Sequence, residues 1–161
     1  MSRVLGVDPG SQCGWALLDN GARVASGTWD LSVRRGESHG MRYVRLDNQL
    51  REALQAVDLV AYEEVARHAG THAAHVYGGI IAHLMAACER AGVPYIGVPV
   101  GVVKKRATGK GNASKEAMVA AAVAHWIWPR QAVLTSCPTE DEADALWIAL
   151  CGTETLAGRC A

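Results

Sequence analysis

The chain has 161 residues, half of them hydrophobic and a fifth charged, and its formal net charge at pH 7 is zero. This length suits one domain with its own core. No apolar run reaches the roughly 18 residues of a membrane span. Because the net charge is zero, the protein cannot bind nucleic acid through an overall positive charge. Five scattered cysteines without a CxxC pair, and an amino terminus without room for a signal peptide, lead us to expect a cytoplasmic protein with reduced thiols.

The first thirty residues predict a three-stranded antiparallel meander. Apolar runs at 4–7, 13–18 and 23–29 have the length of strands, and the first ends at a turn sequence, residues 8–11. Asn-Gly at 20–21, between the second and third runs, is the strongest short signal for a β-hairpin.

Helices and strands then alternate. Apolar residues at helical spacing predict helices over 39–56 and 71–91, and short apolar runs predict strands over 58–62 and 94–98. Residues 107–113 are rich in glycine and small polar residues, so we expect a flexible loop there.

Two further helices are predicted near the carboxyl end. Ser114 has the character of an N-cap for a helix that ends near Ala124. Thr139, with Glu142 three residues later, forms a capping box for a last helix over 140–151. The remaining tail, 153–161, is small and polar and is expected to be flexible.

This order of elements predicts one α/β domain over residues 1–152. A meander followed by strand–helix alternation gives a mixed five-stranded sheet, three strands antiparallel and the later ones parallel, with helices on both faces.

The charges are distributed unevenly. Residues 101–115 hold five basic side chains and no acid, residues 34–51 hold five arginines against two acids, and residues 140–144 hold four acids. An acidic point beside basic stretches is typical of a protein that binds a cation and lays a phosphate backbone over it. Ordinary solvated charge is the alternative for each stretch.

Four carboxylates occupy positions that a packed core would not favour. Asp8 ends the first strand, and Glu63 ends the fourth. Asp141 and Asp144 are three residues apart and therefore share one face of an otherwise apolar helix, so that face points inward or towards a cleft. Taken singly, these acids could be a turn residue, a solvated strand end and a pair favoured by the helix dipole.

Acids gathered in this way raise one another's pKa, and a divalent cation relieves the repulsion. Ligands that are all oxygens favour Mg²⁺ or Mn²⁺ over zinc. Four carboxylates suit two ions about 3.5–4 Å apart, the arrangement that cleaves phosphodiesters.

Three motifs resemble those of RuvC-type Holliday junction resolvases, which belong to the RNase H-like superfamily. Residues 6–11 (Gly-Val-Asp-Pro-Gly-Ser) resemble the first motif, residues 58–65 the second, and residues 141–149 very closely the last. Lys104 and Lys115 match the spacing of the family's basic segment. The resemblance covers about residues 4–150.

The resemblance implies an RNase H-like fold and a homodimer that makes paired symmetric nicks in a four-way DNA junction. The four carboxylates would hold two Mg²⁺ ions per subunit, replaceable by Mn²⁺, with Asp8 bridging them. Lys104 and Lys115 would contact the scissile phosphate region or stabilise developing charge, and water would attack without a covalent intermediate. Further phosphate contacts are expected from basic residues: Lys105, Arg106, Lys110 and Arg67.

The sequence departs from the family pattern at two places. The family often carries an aromatic residue near the junction centre, three positions after its second acid, where this chain has Ala66. The chain contains no Phe. Either Arg67 or His68 would take the place of the aromatic residue, or the junction would be opened in a different way. The first motif is also about one residue shorter before Gly14-Trp15. A broader RNase H-like nuclease acting on flaps, forks or RNA therefore stays open.

Two other classes of protein fit less well. A non-catalytic junction-binding dimer would have no need to gather carboxylates beneath a phosphate backbone. An actin-like ATPase needs two large lobes, and 161 residues supply one. The sequence names no branch-migration partner.

Several residues are left outside the predicted chemistry. Glu64 is expected to be exposed or to lie behind the metal ligands. Three histidines are expected to face the surface or the DNA rather than a metal: His68, His72 and His75. Three tryptophans are expected in the core or an interface rather than as base-stacking platforms: Trp126, Trp128 and Trp147. The helix at 71–91 is the candidate dimer surface because of its small residues: Gly78, Gly79, Ala82 and Ala86.

Overall fold

The structure, a computed structural model, describes residues 2–126 and 138–158. Five strands form one mixed sheet: β1 (Arg3–Asp8), β2 (Gln12–Asp19), β3 (Ala22–Asp30), β4 (Leu59–Glu64) and β5 (Tyr95–Pro99). Their spatial order is β3-β2-β1-β4-β5. Strand β2 pairs antiparallel with both β1 and β3, whereas β4 pairs parallel with both β1 and β5. The predicted mixed sheet is confirmed.

Among the described residues, five α-helices accompany the sheet: α1 (Met41–Ala53), α2 (Thr71–Ala91), α3 (Val100–Thr108), α4 (Lys115–His125) and α5 (Glu140–Leu156). A single 3₁₀ turn, Leu54–Ala56, follows α1. Because side chains alternate across a strand, the sheet has two separate cores. One core joins the sheet to α1 and α2, and the other joins it to α3, α4 and α5. The prediction of helices on both faces is confirmed.

Helix α3 was missed by the sequence analysis. It begins with Val100-Gly101-Val102, and both β-branched residues and glycine have low helix propensity. Its Val103 is almost fully buried in the core beneath α5, so tertiary packing outweighs the local preference. Gly109, with φ of +78°, ends the helix in the left-handed conformation.

The start of α5 is confirmed, but half of the predicted capping box is wrong. The Thr139 hydroxyl accepts a hydrogen bond from the Glu142 backbone N–H at 3.1 Å. The Glu142 carboxylate does not complete the box, because it accepts instead from the hydroxyl of Ser26 in β3 at 2.5 Å.

The end of α5 was also predicted wrongly. The helix continues to Leu156 rather than ending at Cys151. Gly152, which suggests a helix end in the sequence, is buried and packs against Val4 and Ala61. Its missing side chain permits close helix–sheet contact and does not mark a stop.

Other predictions hold more closely. Helix α2 has the predicted bounds and is ended by Gly92, with φ of +66°. The Ser114 hydroxyl caps α4 by accepting from the Ala117 N–H at 3.2 Å. Trp126 and Trp147 are buried in the core as expected, and each indole donates to a backbone carbonyl at 3.3 Å. Trp128 lies outside the described residues.

None of the helices within residues 2–126 and 138–158 is long and apolar enough to cross a membrane. The cytoplasmic location expected from the sequence stays a prediction.

Candidate active site

The sheet brings Asp8 and Glu63 to the same edge. They end β1 and β4, neighbouring parallel strands in which Val7 pairs with Tyr62. Because side chains alternate along a strand and Tyr62 belongs to the core beneath α1 and α2, both carboxylates point to the opposite face, where α5 lies.

Helix α5 brings the other two acids to this edge. Asp141 and Asp144 lie in its first turns, and α5 crosses β1 and β2 with extensive contact. Glu63, Asp144 and Asp141 each raise the pKa of Asp8, so the charges of all three act on it. The structure therefore brings together the four carboxylates that the sequence singled out.

Two strand glycines set the depth at which α5 sits. A Cβ on Gly6 would lie only 2.6 Å from the Ala149 backbone nitrogen, and one on Gly14 would fall inside the contact distance of the Asp141 carbonyl group. Any side chain at either position would lift α5 away from the sheet. Because Gly14 of β2 has no side chain, the first turns of α5, which carry Asp141 and Asp144, can lie close to the end of β1.

Burial and mutual repulsion raise the pKa of these carboxyl groups. Burial raises the pKa of Asp8 well above its usual value, and Glu63 adds most among the neighbouring acids. Burial, followed by the charge of Asp144, raises the pKa of Glu63 to about 7. Burial raises the pKa of Asp144 to about 6 and, in the same direction, that of Asp141. The raised pKa values mean that the surrounding protein does not fully stabilise the negative charges of these carboxylates.

Two lysines partly offset this charge. Lys104 of α3 is half-buried, and Lys115 is the first residue of α4. Each lowers the pKa values of Glu63 and Asp144. The Lys115 ammonium donates to the Glu140 carboxylate at 3.0 Å, and this bond raises the pKa of Lys115. Both predicted lysines therefore lie beside the acids.

A polar network ties the start of α5 to β3. Arg23 donates to the Ser26 hydroxyl at 2.6 Å, and Ser26 donates to Glu142. The hydroxyls of Thr28 and Thr139 are 3.1 Å apart. Since Glu142 lies between Asp141 and Asp144, this network turns its carboxylate away from the other acids and fixes the first turn of α5. The sequence analysis missed these partners.

The donors at the site are chemically suited to a hard divalent cation. Cys13 lies close by, but burial and then the charge of Asp8 raise the pKa of its thiol to about 12, so it stays protonated. The ionisable donors are thus carboxylate oxygens, which favour Mg²⁺ or Mn²⁺. In the described part of the chain, no three His, Cys, Asp or Glu side chains form a closed metal-binding group.

The four other basic residues predicted to bind DNA are exposed. Lys105 and Lys110 are exposed, as is Arg67 in the segment between β4 and α2. The Arg106 guanidinium donates to both carboxylate oxygens of Glu154, at 2.7–2.9 Å. A phosphate contact by Arg106 would therefore compete with this ion pair, and all four DNA contacts stay predictions.

Near Glu63, the exposure expected for Glu64 is confirmed, whereas His68 is less exposed than the sequence led us to expect. Glu64 and Ala66 are exposed, and His72 and His75 are exposed on the first turns of α2. His68 is half-buried, with its ring centroid 4.6 Å from that of Tyr77.

The small residues of α2 differ in their surroundings: one packs against α1, and the others are exposed or partly exposed. Gly79 faces Tyr43 of α1, and a Cβ on Gly79 would overlap the Tyr43 hydroxyl group. Its role in approaching a second subunit, expected from the sequence, is therefore wrong, because the space is used within the chain. Gly78 and Ala82 are exposed, and Ala86 is partly so.

Comparison with known proteins gives a consistent result. Residues 4–152 match the family described as crossover junction endodeoxyribonuclease RuvC. Curated relatives with that name include one from Sorangium cellulosum, 35% identical, covering 92% of this chain and 82% of the relative. Another, from Halorhodospira halophila, is 32% identical and covers 94% and 89%.

Two solved structures share the fold. That of Thermus thermophilus RuvC in complex with a Holliday junction substrate has a TM-score of 0.81 at 23% identity, covering 99% of this chain and 96% of that chain. The yeast mitochondrial Holliday junction resolvase Ydc2 has a TM-score of 0.66 at 16% identity, covering 97% and 79%. The family match over residues 4–152, together with relatives that are more than 30% identical over most of their length, shows that the chain belongs to the RuvC family of crossover junction endodeoxyribonucleases.

Proposed function

We propose that this protein resolves four-way DNA junctions by paired symmetric nicks, as a homodimer with one metal-dependent site per subunit. The observation that carries the proposal is the convergence of Asp8, Glu63, Asp141 and Asp144 at one sheet edge, flanked by Lys104 and Lys115. A binding module has no use for repelling carboxylates beneath a phosphate backbone, whereas a phosphodiesterase needs them to hold cations.

The carboxylates would bind two Mg²⁺ ions per subunit, with Mn²⁺ able to replace them. Asp8 is the most central acid, since its pKa is raised by all three others, and this favours it as the shared ligand. Two such ions would polarise the phosphate, activate the attacking water and stabilise the leaving oxygen.

The lysines would act on the substrate phosphate. Lys104 is positioned by α3, whose Val103 is buried in the core, so its backbone is firmly placed. Lys115 is exposed and pairs with Glu140, whose side chain is half exposed, and such surface pairs are weak. An arriving phosphate could therefore replace Glu140 as the partner of Lys115 and gain charge stabilisation from it.

Paired nicks need two subunits. The exposed small residues Gly78 and Ala82 on α2 leave room for a second helix to approach closely. With the sites related by a two-fold axis, each would cut one of two symmetry-related strands. Lys105, Lys110 and Arg67 would contact the junction arms through phosphates.

Cleavage of a synthetic four-way junction tests the proposal. Linear duplex, flap and RNA–DNA hybrid serve as competing substrates, each with Mg²⁺ and with EDTA. We expect symmetric paired nicks in the junction alone, lost in EDTA and weakened by salt through counterion release. Junction binding without cleavage in Mg²⁺ or Mn²⁺ would contradict it.

A broader structure-selective nuclease is the second candidate. Ala66 is exposed at the position where the resemblance leads us to expect an aromatic side chain, so no large ring projects there. Equal cutting of flaps, forks or hybrids in the same assay would support this reading and leave the proposed metal site in place.

A further inference from the structure

Strand β4 runs beyond the end of its pairing with β1. The register of the two strands ends where Val7 lies opposite Tyr62, whereas β4 continues through Glu63. The chain turns after Asp8, and the residue that follows, Pro9, has no backbone N–H to donate. On the other side of β4, the pairing with β5 continues to the end of the strand. The residue that supplies a candidate metal ligand therefore lies where the ladder with β1 has stopped.

The hydroxyl of Tyr77, in α2, makes hydrogen bonds at this point. It donates to the Glu63 carbonyl at 2.9 Å and accepts from the Val65 N–H at 3.2 Å. Pro9, Val65 and Tyr77 line one small pocket, which places the hydroxyl on the β1 side of β4. In a parallel ladder, one residue of the neighbouring strand bonds to a carbonyl and to the N–H two residues further along. The hydroxyl thus makes the two bonds that a continued β1 would have made.

The Tyr77 side chain is itself held in place. It lies in the second turn of α2, is half-buried, and packs against the core between the sheet and helices α1 and α2. The His68 ring lies against it, with the two ring centroids 4.6 Å apart. Further along the helix, Ile80 and Leu84 are fully buried. Because a well-packed helix places the hydroxyl, the hydroxyl can fix the strand end.

The bond acts on the backbone from which the Glu63 carboxylate extends. The carbonyl that accepts from Tyr77 belongs to Glu63 itself, while the carboxylate points to the other face of the sheet, towards α5. There, burial and then the charge of Asp144 raise the pKa of Glu63 to about 7. Repulsion of this kind favours movement of a loosely held carboxylate away from the other acids. Fixing its backbone keeps the carboxylate where a cation can bind it together with them.

We propose that Tyr77 is a positioning residue for the metal ligand Glu63, and that its hydroxyl raises the affinity of the site for divalent cations by closing the open end of β4. Tyr77 touches neither the cation nor the substrate and acts through the Glu63 backbone. The inference rests on the proposed function in taking Glu63 as a metal ligand, and deepens it by naming a residue outside the carboxylates that supports the site.

The test removes one hydroxyl and keeps the ring. Tyr77→Phe loses both hydrogen bonds at the end of β4. Tyr95→Phe is the matched control, because Tyr95 is also half-buried, packs against the same core and donates a hydrogen bond, to Glu89 at 3.1 Å. It lies beside Val60, at the other end of β4. Calorimetry measures Mn²⁺ affinity without DNA, and denaturant unfolding in EDTA measures stability.

For Tyr77→Phe, we expect Mn²⁺ binding to weaken by about 10–100-fold, as when a group that orients a metal ligand is lost. The Mg²⁺ concentration for half-maximal junction cleavage should rise by the same factor, and saturating Mg²⁺ should restore the cleavage rate. Tyr95→Phe should leave both quantities at the wild-type values. Backbone amide exchange in EDTA gives a local reading: in Tyr77→Phe, Val65 should exchange faster relative to Val60, whose N–H donates to the Pro94 carbonyl.

A measurement on the wild-type protein needs no substitution. If the hydroxyl bridge and the metal site are coupled, the coupling is reciprocal, so saturating Mg²⁺ should slow amide exchange at Val65 more than at Val60. Exchange at Val65 that does not respond to Mg²⁺ would overturn the proposal.

Equal Mn²⁺ affinity of wild type and Tyr77→Phe would also overturn it, even with a lower unfolding free energy, because the hydroxyl would then serve the fold alone. An equal loss of affinity in Tyr95→Phe would do the same. The proposed function fails separately: if wild type binds Mn²⁺ but does not cleave four-way junctions, weaker Mn²⁺ binding by Tyr77→Phe still supports the positioning role.

Discussion

The two faces of the sheet are packed in different ways. On one face, α1 and α2 cover the strands with large buried side chains such as Leu46, Ile80 and Leu84. On the other, the backbone of α5 lies directly against Gly6 and Gly14, where there is no room for a side chain on the strand. The first face resembles many hydrophobic cores, which tolerate repacking. The second fixes the position of a helix backbone, and that helix carries Asp141 and Asp144.

Removing a carboxylate should give the largest effect on the α5 face. Asp144→Asn should lower junction cleavage by about a thousandfold or more, because cation-assisted stabilisation of the transition state is lost. Binding should persist or tighten, since negative charge beneath the phosphate is removed. Single-turnover cleavage and anisotropy measure the two quantities.

The matched control is Glu64→Gln, since Glu64 is exposed beside Glu63. It should cleave at close to the wild-type rate. Normal nicking by Asp144→Asn would remove Asp144 from the metal site.

A methyl group added beneath α5 should distinguish the effect of the position of the helix on cleavage from the effect of protein stability. Gly14→Ala should cost about 1–3 kcal/mol of unfolding free energy and should lower cleavage by the folded protein, by up to about a hundredfold if the acids move by about 1 Å. Ile80→Val, on the α1–α2 face, should cost about 0.5–1.5 kcal/mol with an unchanged cleavage rate. Denaturant unfolding and single-turnover kinetics measure both.

Gly101→Ala is a control that should change the unfolding free energy in the opposite direction. Gly101 lies in α3 with nothing near its missing side chain, so alanine there should stabilise the protein. If Gly14→Ala and Ile80→Val reduce cleavage by the same factor, packing on the α5 face has no greater influence on the position of the acids than packing on the α1–α2 face.

Disrupting the polar network between Glu142 and β3 should affect cleavage less than substituting Gly14 does. Glu142→Gln removes the charge that Ser26 and Arg23 hold, without changing size. We expect the Mg²⁺ concentration needed for half-maximal cleavage to rise on the order of tenfold, as when partners behind metal ligands are lost. Ser26→Ala should act in the same direction. An unchanged Mg²⁺ requirement in both variants would show that the network is structural only.

The smallest expected effect is on the pH dependence of stability without metal. Glu63 has a pKa of about 7, above that of an unfolded glutamate, so the folded state binds the extra proton. The contribution of Glu63 to the unfolding free energy in EDTA should therefore be fully present below its unfolded pKa and be lost as pH rises through 7. Glu63→Gln should lack this component. A wild-type curve that parallels that of Glu63→Gln would contradict the raised pKa.

The sequence predicted the elements whose signals are local. Helix α2 has a clear apolar stripe and a terminal glycine, and its bounds were predicted correctly. The acids were found because carboxylates at strand ends and on an apolar helix conflict with packing. Helix α3 was missed because Val100-Gly101-Val102 disfavours a helix until Val103 is buried.

The remaining features depend on contacts between residues far apart in the chain. Nothing near Gly14 in sequence shows that it lies beneath Asp141, and the capping pattern at Thr139 gave Glu142 a local partner when its partner is Ser26 in β3. Likewise, Gly79 looked available to a second subunit until the fold placed Tyr43 against it.

We expect that the close packing of α5 against Gly6 and Gly14 forces the carboxylates together and that divalent cations relieve their repulsion. Thermal unfolding of wild type and Asp8→Asn, in EDTA and over a Mn²⁺ titration, measures this relief. We predict that Asp8→Asn is the more stable protein in EDTA, because one buried charge is gone, and that Mn²⁺ raises the melting temperature of wild type only. Equal stabilisation of both proteins by Mn²⁺, or a wild type that is more stable than Asp8→Asn in EDTA, would contradict the account.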